Sequence, residues 1–181
     1  MSKKEEILDI ALKEFAKNGY ENTSLEDIAK KCNITKPAIY YHFKNKKHLY
    51  NEMFKRIFNK LEFKVANNLE IDLKNYIDTL YEFLDEDISK LLAKELSNEM
   101  KNLDEETIKV ISIMPKMLKK IVGDKFFIIQ NTILSSLINY QNTKNPRDLI
   151  FKIVGEEAKI DIKEEIYNMV ISYLKGNVWS F

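Results

Sequence analysis

The scarcity of residues that bend or break a chain is the feature that most constrains the fold of this sequence. It has 4 glycines and 3 prolines in 181 residues. Sandwiches, barrels and glycine-rich nucleotide-binding loops use such residues at many turns. Apolar residues instead recur at helical spacing along most of the chain, and strand alternation is absent. The sequence therefore predicts an all-α protein with about nine helices in total.

Length and residue types narrow the class of protein further. At about 150 residues per domain, the chain is one domain or a small module joined to a medium one. Its single cysteine excludes an intramolecular disulfide and a cysteine-rich zinc site. The N-terminus carries acids where a signal peptide needs an apolar stretch, and no unbroken apolar run approaches the roughly 18 residues of a transmembrane helix. We therefore expect a soluble, cytoplasmic protein with no membrane partner.

The charge is distributed unevenly along the chain. Residues 1–60 hold 13 basic and 8 acidic side chains, a balance of +5, whereas residues 61–181 hold 16 and 20, a balance of −4. Residues 30–47 include six lysines and no acid. Such asymmetry indicates an anion-binding module attached to something else, with a merely solvated basic face as the alternative.

The first 50 residues show closely spaced helix boundaries. The spacing predicts a first helix over residues 3–18, ended by a glycine. A box-like cap, either Thr23 with Glu26 or Ser24 with Asp27, opens a short second helix. Asn33 tolerates the left-handed conformation that ends this helix. Thr35 is then a good N-cap for a third helix over 36–43, with a proline in its first turn.

The remaining residues also have helical spacing. A fourth helix, capped by Asn45, is expected to continue towards Val65. Further apolar stripes cover residues 73–84 and 88–96, and acidic residues mark a helix start near 104 that Pro115 must kink or end. Residues 126–140 are apolar nearly all round, residues 141–160 resemble a loop with room for one short helix, and a last helix covers 162–176.

Two short helices joined by residues 31–35 have the size and turn chemistry of a helix-turn-helix motif. In that motif, the second helix enters the DNA major groove. If Ile39 faces inward, a rotation of 100° per residue also places Phe43 inward and Tyr41 outward. The accessible faces then carry small, aromatic and hydroxyl side chains and no acid, which is typical of a surface that meets phosphates and base edges.

The stretches TSLEDIA at 23–29 and ITKPAIYYHFKNKKHL at 34–49 resemble the DNA-binding region of the TetR family of bacterial transcriptional regulators. The resemblance covers roughly residues 5–60. Residues 61–181 match the family only in being all-helical and of suitable length. Two departures are Asn33 and Pro37, at positions where the family frequently has glycine, and Pro37 would alter the contact pattern.

The residues and the resemblance together indicate one set of DNA-contacting side chains. A lysine at the start of the third helix is the main candidate for a base contact, and tyrosine and serine hydroxyls for phosphate contacts. A small alanine permits close approach to a thymine methyl group. The expected DNA-binding residues are Ser24, Thr35, Lys36, Ala38, Tyr40, Tyr41, His42 and Lys46.

The resemblance also implies an arrangement of domains and partners. Residues 1–47 would be the helix-turn-helix DNA-binding domain, and residues 48–181 the effector-binding and dimerisation domain. A homodimer, formed through the last two long helices at about 124–141 and 162–176, would bind a palindromic double-stranded operator. A small-molecule effector would release the DNA, so that the protein acts as a repressor. The apolar stripes of the second domain indicate an apolar or amphipathic effector. Activation stays open, and the effector-binding residues are not assigned.

Other classes of function have less support in the sequence. A helical protein that uses the motif for protein contacts would not need the acid-free lysine run. An enzyme would need an acid–base pair, an activated nucleophile or a phosphate loop, and none is recognisable. Cys32 with His42 or His48 has no metal-ligand spacing. We therefore expect no enzyme activity, no metal site and no cofactor.

Overall fold

A computed structural model describes residues 2–155 and 160–176, and these residues form eleven α-helices, one 3₁₀ turn at Gly123–Lys125 and no strand. The all-α prediction is confirmed. The helices are α1 (Lys3–Asn18), α2 (Leu25–Lys31), α3 (Lys36–His42), α4 (Lys46–Phe58), α5 (Leu69–Phe83), α6 (Glu86–Ser97), α7 (Glu105–Ile111), α8 (Ile113–Val122), α9 (Phe126–Asn142), α10 (Lys144–Val154) and α11 (Ile162–Leu174).

The expected count of about nine differs from these eleven for two reasons. Helices α7 and α8 are separated by Ser112 alone, and Pro115 lies in the first turn of α8, where its missing N–H has no intrahelical role. Helix α10 is the short helix for which the sequence left room within 141–160. Residues 156–159 of that predicted loop lie outside the described residues.

The described chain divides into two compact units. The first runs to Leu61 and includes Asp87–Ser112, and the second contains Glu62–Glu86 and the residues from Ile113 onward. The first unit therefore holds α1–α4, nearly all of α6, and α7. The second holds α5 and α8–α11.

Helix α1 is the centre of the first unit. It packs against α2 and α4, and α2 packs in turn against α3. Ile7, Ala11 and Phe15 have no exposed surface, and they lie four residues apart along one face of α1. The ring of Phe15 meets that of Tyr50 of α4 edge to face, 4.7 Å away. This packing holds the short helices α2 and α3 in place, since neither is long enough to be stable alone.

The prediction that the fourth helix continues towards Val65 is wrong. Helix α4 ends at Phe58, where Lys60 and Leu61 donate backbone hydrogen bonds to carbonyls three residues earlier instead of four. Such bonds tighten the last turn of a helix. Leu61 is 5% exposed, so the apolar pattern continued because the chain packs on the core after it leaves the helix.

The second unit has a core of its own. Helix α5 packs against α8, α9 and α11, and Leu73, Leu118 and Ile133 have no exposed surface. The Tyr76 hydroxyl donates to the carbonyl oxygen of Met114 at 3.2 Å and also bonds to the Gln130 side chain. Burial raises the pKa of Tyr76 above its usual value, so this hydroxyl stays protonated and can donate.

One stretch of this chain would pass a simple test for a membrane span. By length and composition alone, Glu105–Asn142 is apolar enough to cross a bilayer. A core helix of a soluble protein passes the same test, and this stretch is interrupted at Ser112 and by the 3₁₀ turn at Gly123–Lys125. Only 28% of its most apolar 18-residue segment is buried, so much of the apolar surface of this stretch is exposed.

Candidate nucleic-acid interface

The turn between α2 and α3 is set by a left-handed residue. Asn33 has φ +52°, as the sequence predicted. Its N–H donates to the Lys30 carbonyl at 3.1 Å, and the Ile34 N–H donates to the Ala29 carbonyl at 3.0 Å. This pair of bonds is the Schellman arrangement that ends a helix and redirects the chain. It leads directly into α3.

The start of α2 is capped by Ser24 and Asp27 rather than by Thr23 and Glu26. The Ser24 hydroxyl accepts from the Asp27 N–H at 3.1 Å, and an Asp27 carboxylate oxygen accepts from the Ser24 N–H at 3.3 Å. The Ser24 hydroxyl also donates to that carboxylate, and hydrogen bonds from Ser24 hold the pKa of Asp27 below its usual value. Thr23 is buried and donates to the Gly19 carbonyl at 2.8 Å, so it ties α1 to the turn instead.

Helix α3 presents the faces that the rotation predicted. Ile39 and Phe43 have no exposed surface, whereas Tyr41 is 87% exposed and Tyr40 49% exposed. Ala38 and His42 are half-buried at the flanks, and the His42 ring meets that of Tyr41 edge to face at 5.0 Å. Tyr41, at this exposure, contributes little to the packing of the first unit, whereas about half of Tyr40 is covered.

The start of α3 leaves its polar side chains available. Thr35 is the N-cap residue of α3, as the sequence predicted, and has the extended backbone of that position, although its side chain makes no capping hydrogen bond. Pro37, which has no N–H, occupies the first turn and reduces the number of donors that need a cap. Thr35 and Lys36 are both exposed.

A shallow cleft brings together four of the eight predicted DNA-binding residues. Ser24, Lys36, Tyr40 and Lys46 all line it, although they come from the start of α2, the first two turns of α3 and the start of α4. The other lining residues are Glu21, Asn22, Thr23 and Leu25. Thr35, Ala38, Tyr41 and His42 do not line this cleft. They stay candidates on the remaining surface of α3.

Lys46 makes two contacts at the edge of this cleft. Its ammonium nitrogen lies 4.3 Å from the centroid of the Tyr20 ring and donates to the Glu21 carbonyl at 3.3 Å. The side chain of Asn45 caps α4 by accepting from the His48 N–H at 2.8 Å, as the sequence predicted. Tyr20 was missed by the sequence analysis, because no spacing rule links a residue after α1 to the first residue of α4.

The six lysines of 30–47 differ in how far their charge is balanced. Within the described residues, Lys31 alone of the six has a carboxylate partner within salt-bridge distance, the buried Glu14. The other five lysines lie in a stretch without acids, four of them exposed and Lys46 half-buried. Their summed field attracts polyanions and is screened by salt.

The fold and this surface define a helix-turn-helix DNA-binding protein, and comparison with known proteins agrees. Residues 7–53 match the model of the family described as bacterial regulatory proteins, tetR family. IcaR of Staphylococcus aureus strain Newman, a negative transcriptional regulator of the biofilm operon icaADBC, is 33% identical over 95% of this chain and 99% of its own. IcaR of Staphylococcus epidermidis is 29% identical over 98% of this chain and 82% of its own. The chain therefore belongs to the TetR family of transcriptional regulators.

Solved structures have the same fold at lower identity. AibR, in complex with isovaleryl coenzyme A and operator DNA, has a TM-score of 0.68 at 18% identity and covers 95% of this chain and 97% of its own. The fatty acid degradation regulator FadR from Bacillus halodurans has a TM-score of 0.64 at 18% identity and covers 96% of this chain and 95% of its own. TetR regulators as a class are soluble proteins that bind DNA operators, typically as dimers.

Proposed function

We propose that this protein is a ligand-responsive repressor that binds a palindromic operator as a homodimer through recognition helix α3. The observation that carries the proposal is the cleft in which Ser24, Lys36, Tyr40 and Lys46 meet beside the exposed face of α3. Repression in particular is supported by the likeness over nearly the whole chain to IcaR, which is a negative regulator.

The eight side chains divide into three groups by position. Ser24, Tyr40 and Lys46 at the cleft suit contacts with phosphate oxygens, because hydroxyl and ammonium donors recur there. Thr35 and Lys36, at the exposed start of α3, suit base edges or adjacent phosphates, since the N-terminal residues of a recognition helix reach the bases. Ala38, Tyr41 and His42, further along the same helix, suit contacts with the floor and walls of the DNA major groove.

We assign the two functional domains to residues 1–47 and 48–181. The first contains the complete helix-turn-helix motif and the lysine run. The second is proposed to bind an apolar or amphipathic effector and to form the dimer. AibR, with its bound isovaleryl coenzyme A and operator DNA, supports the idea that this fold couples a small molecule to DNA, but it assigns no effector residue here.

Exposed apolar side chains support a dimer through α9 and α11. Phe127 and Ile128 of α9 are 66% and 57% exposed, and Met169 and Tyr173 of α11 are 41% and 40% exposed. Burying such side chains against a second copy removes apolar surface from water, which favours association. A homodimer with two-fold symmetry presents two copies of α3 to the two halves of a palindrome.

The test is fluorescence anisotropy with the intergenic DNA upstream of the gene and with a scrambled duplex, each at several salt concentrations. We expect tight, sequence-preferring binding that weakens steeply with salt, because each neutralised phosphate releases counterions. Lys36→Ala should cost about 1–3 kcal/mol at the preferred sequence if Lys36 contacts a base. Lys120→Ala on α8 removes the same charge from an exposed site in the second unit and should have little effect.

Two results would count against this reading. Unchanged affinity in Lys36→Ala would remove Lys36 from the set of DNA contacts. Absence of DNA binding at low salt by a folded dimer would favour the alternative in which the motif makes protein contacts.

A further inference from the structure

We infer that Tyr20 is a positioning residue for DNA binding, which acts by holding the ammonium group of Lys46 at the edge of the cleft. The inference rests on the proposed phosphate contact of Lys46. Tyr20 does not line the cleft, so its effect on DNA would pass through Lys46.

The contacts of Lys46 leave part of its ammonium group available. A lysine ammonium has three donors in a compact charge. One donor is directed to the Glu21 carbonyl, at 3.3 Å, and the positive charge lies 4.3 Å from the centroid of the Tyr20 ring. The carbonyl and the ring occupy two of the directions around the ammonium group, so its remaining N–H can donate to a phosphate oxygen. A free lysine on a four-carbon stem would have to lose much of its rotamer freedom to make the same contact.

The Tyr20 ring packs against two other aromatic rings. Its centroid lies 4.9 Å from that of the Tyr50 ring, in an edge-to-face contact, and 6.0 Å from that of the Phe15 ring, on which it is stacked. Tyr50 is 1% exposed, and its hydroxyl donates to a carboxylate oxygen of the buried Glu95 at 2.7 Å. Lys46 therefore rests on a ring whose orientation is set by the core of the first unit.

The protonation state of Tyr20 suits this role. Burial, with the nearby Glu21 and Glu95 carboxylates, raises the pKa of Tyr20, so the ring stays a neutral phenol. A neutral phenol still attracts a cation to the negative face of its π-system. The ring thus orients the lysine without neutralising the charge that a phosphate needs.

The experiment is a double-mutant cycle on the full-length protein with the preferred duplex from the anisotropy assay. Lys46→Ala should lower the slope of log affinity against log salt by about 0.9 for each phosphate that Lys46 neutralises. Tyr20→Leu should weaken binding by about 2–5-fold per half-site, as expected for an exposed cation–π contact, and should also lower the salt slope. In the Lys46→Ala background, Tyr20→Leu should cause no further loss of affinity.

The matched variant is Tyr20→Phe, which keeps the ring and removes only the hydroxyl. It should have the same affinity and salt slope as the wild type. The salt slope reports the number of neutralised phosphates, so a structural effect that leaves the cations in place would not change it. If Tyr20→Leu does not fold, phenylalanines of increasing fluorination at position 20 weaken the π-face at nearly constant volume. Affinity should then fall stepwise with fluorine content.

Three results from the Tyr20 variants would overturn the inference. They are an equal loss of affinity from Tyr20→Leu in both backgrounds, a loss in Tyr20→Phe as large as in Tyr20→Leu, and affinity that is indifferent to fluorination. An unchanged salt slope in Lys46→Ala would remove Lys46 itself as the contact, while sequence preference of the wild type would still support the proposed function. A wild type without sequence preference would instead defeat that function, and the cycle would still measure the phosphate contact on any duplex.

Discussion

At the scale of single residues, Ser24 has two roles that can be separated by experiment. It caps α2 in the absence of DNA, and it lines the cleft proposed to meet phosphates. Ser24→Ala should lower the free energy of unfolding by about 1 kcal/mol, because the first turn of α2 loses its cap. Chemical denaturation of the DNA-free protein measures this. Ser24→Thr, which keeps a hydroxyl, and Ser97→Ala, which removes a hydroxyl outside any cap, should both stay close to the wild type.

The same substitution has a defined pH dependence. Hydrogen bonds from Ser24 lower the pKa of Asp27 in the folded protein. A carboxyl whose folded pKa is lowered contributes stability above its unfolded pKa of about 3.9, and this is lost as the pH falls through the folded value. The difference in the free energy of unfolding between the wild type and Ser24→Ala should therefore be largest at neutral pH and should become smaller in acid. A gap that widened in acid would contradict the role of the Asp27 carboxylate.

At the scale of elements, the turn before the recognition helix depends on one backbone conformation. Asn33 adopts φ +52° without being glycine, and asparagine tolerates this region better than most residues. Asn33→Ala should destabilise the protein by about 1 kcal/mol, whereas Asn33→Gly should be neutral or stabilising. Thermal unfolding of both variants would measure the effect.

The matched control is Asn59→Ala. Asn59 follows α4 at φ −68°, a conformation that alanine adopts without strain. Equal destabilisation by Asn33→Ala and Asn59→Ala would show that loss of the amide, rather than the left-handed backbone, sets the cost. If Asn33→Gly were as unstable as Asn33→Ala, the conformational explanation would fail.

At the scale of the whole molecule, the proposed dimer predicts what a buried charge would do. Ile128→Lys, or Tyr173→Lys, places a charge on the α9 and α11 surface, and removing a charge from water costs several kcal/mol unless it is paired. We expect either variant to sediment as a folded monomer or as a much weaker dimer, and to lose operator affinity. Analytical ultracentrifugation with circular dichroism measures both the mass and the fold.

A control outside that surface separates dimerisation from general effects of added lysine. Ile108 of α7 lies in the first unit and is 41% exposed, close to the exposure of Tyr173. Ile108→Lys therefore also replaces a partly exposed apolar residue with lysine, but outside the proposed dimer surface. It should leave the sedimentation coefficient unchanged. Dimers that persist in both Ile128→Lys and Tyr173→Lys would place the interface elsewhere.

The sequence alone determined the features that depend on local hydrogen bonds. The bounds of α1, the left-handed end of α2 at Asn33 and the Asn45 cap were all predictable, because each involves residues within four positions of one another. The inward faces of Ile39 and Phe43 followed from helical periodicity for the same reason. These local features identified the helix-turn-helix motif and, through it, the family.

The tertiary structure alone decided which local option was taken and which distant residues meet. Thr23 and Ser24 were equal candidates as caps, and the hydrogen bonds of Thr23 to carbonyls of α1 and the following turn left Ser24 as the cap. Helix α4 ended before its apolar pattern did, because the core accepts Leu61 from non-helical backbone. Tyr20 and Lys46 meet only because α1 packs on α4, a contact between residues 26 positions apart that no periodicity encodes.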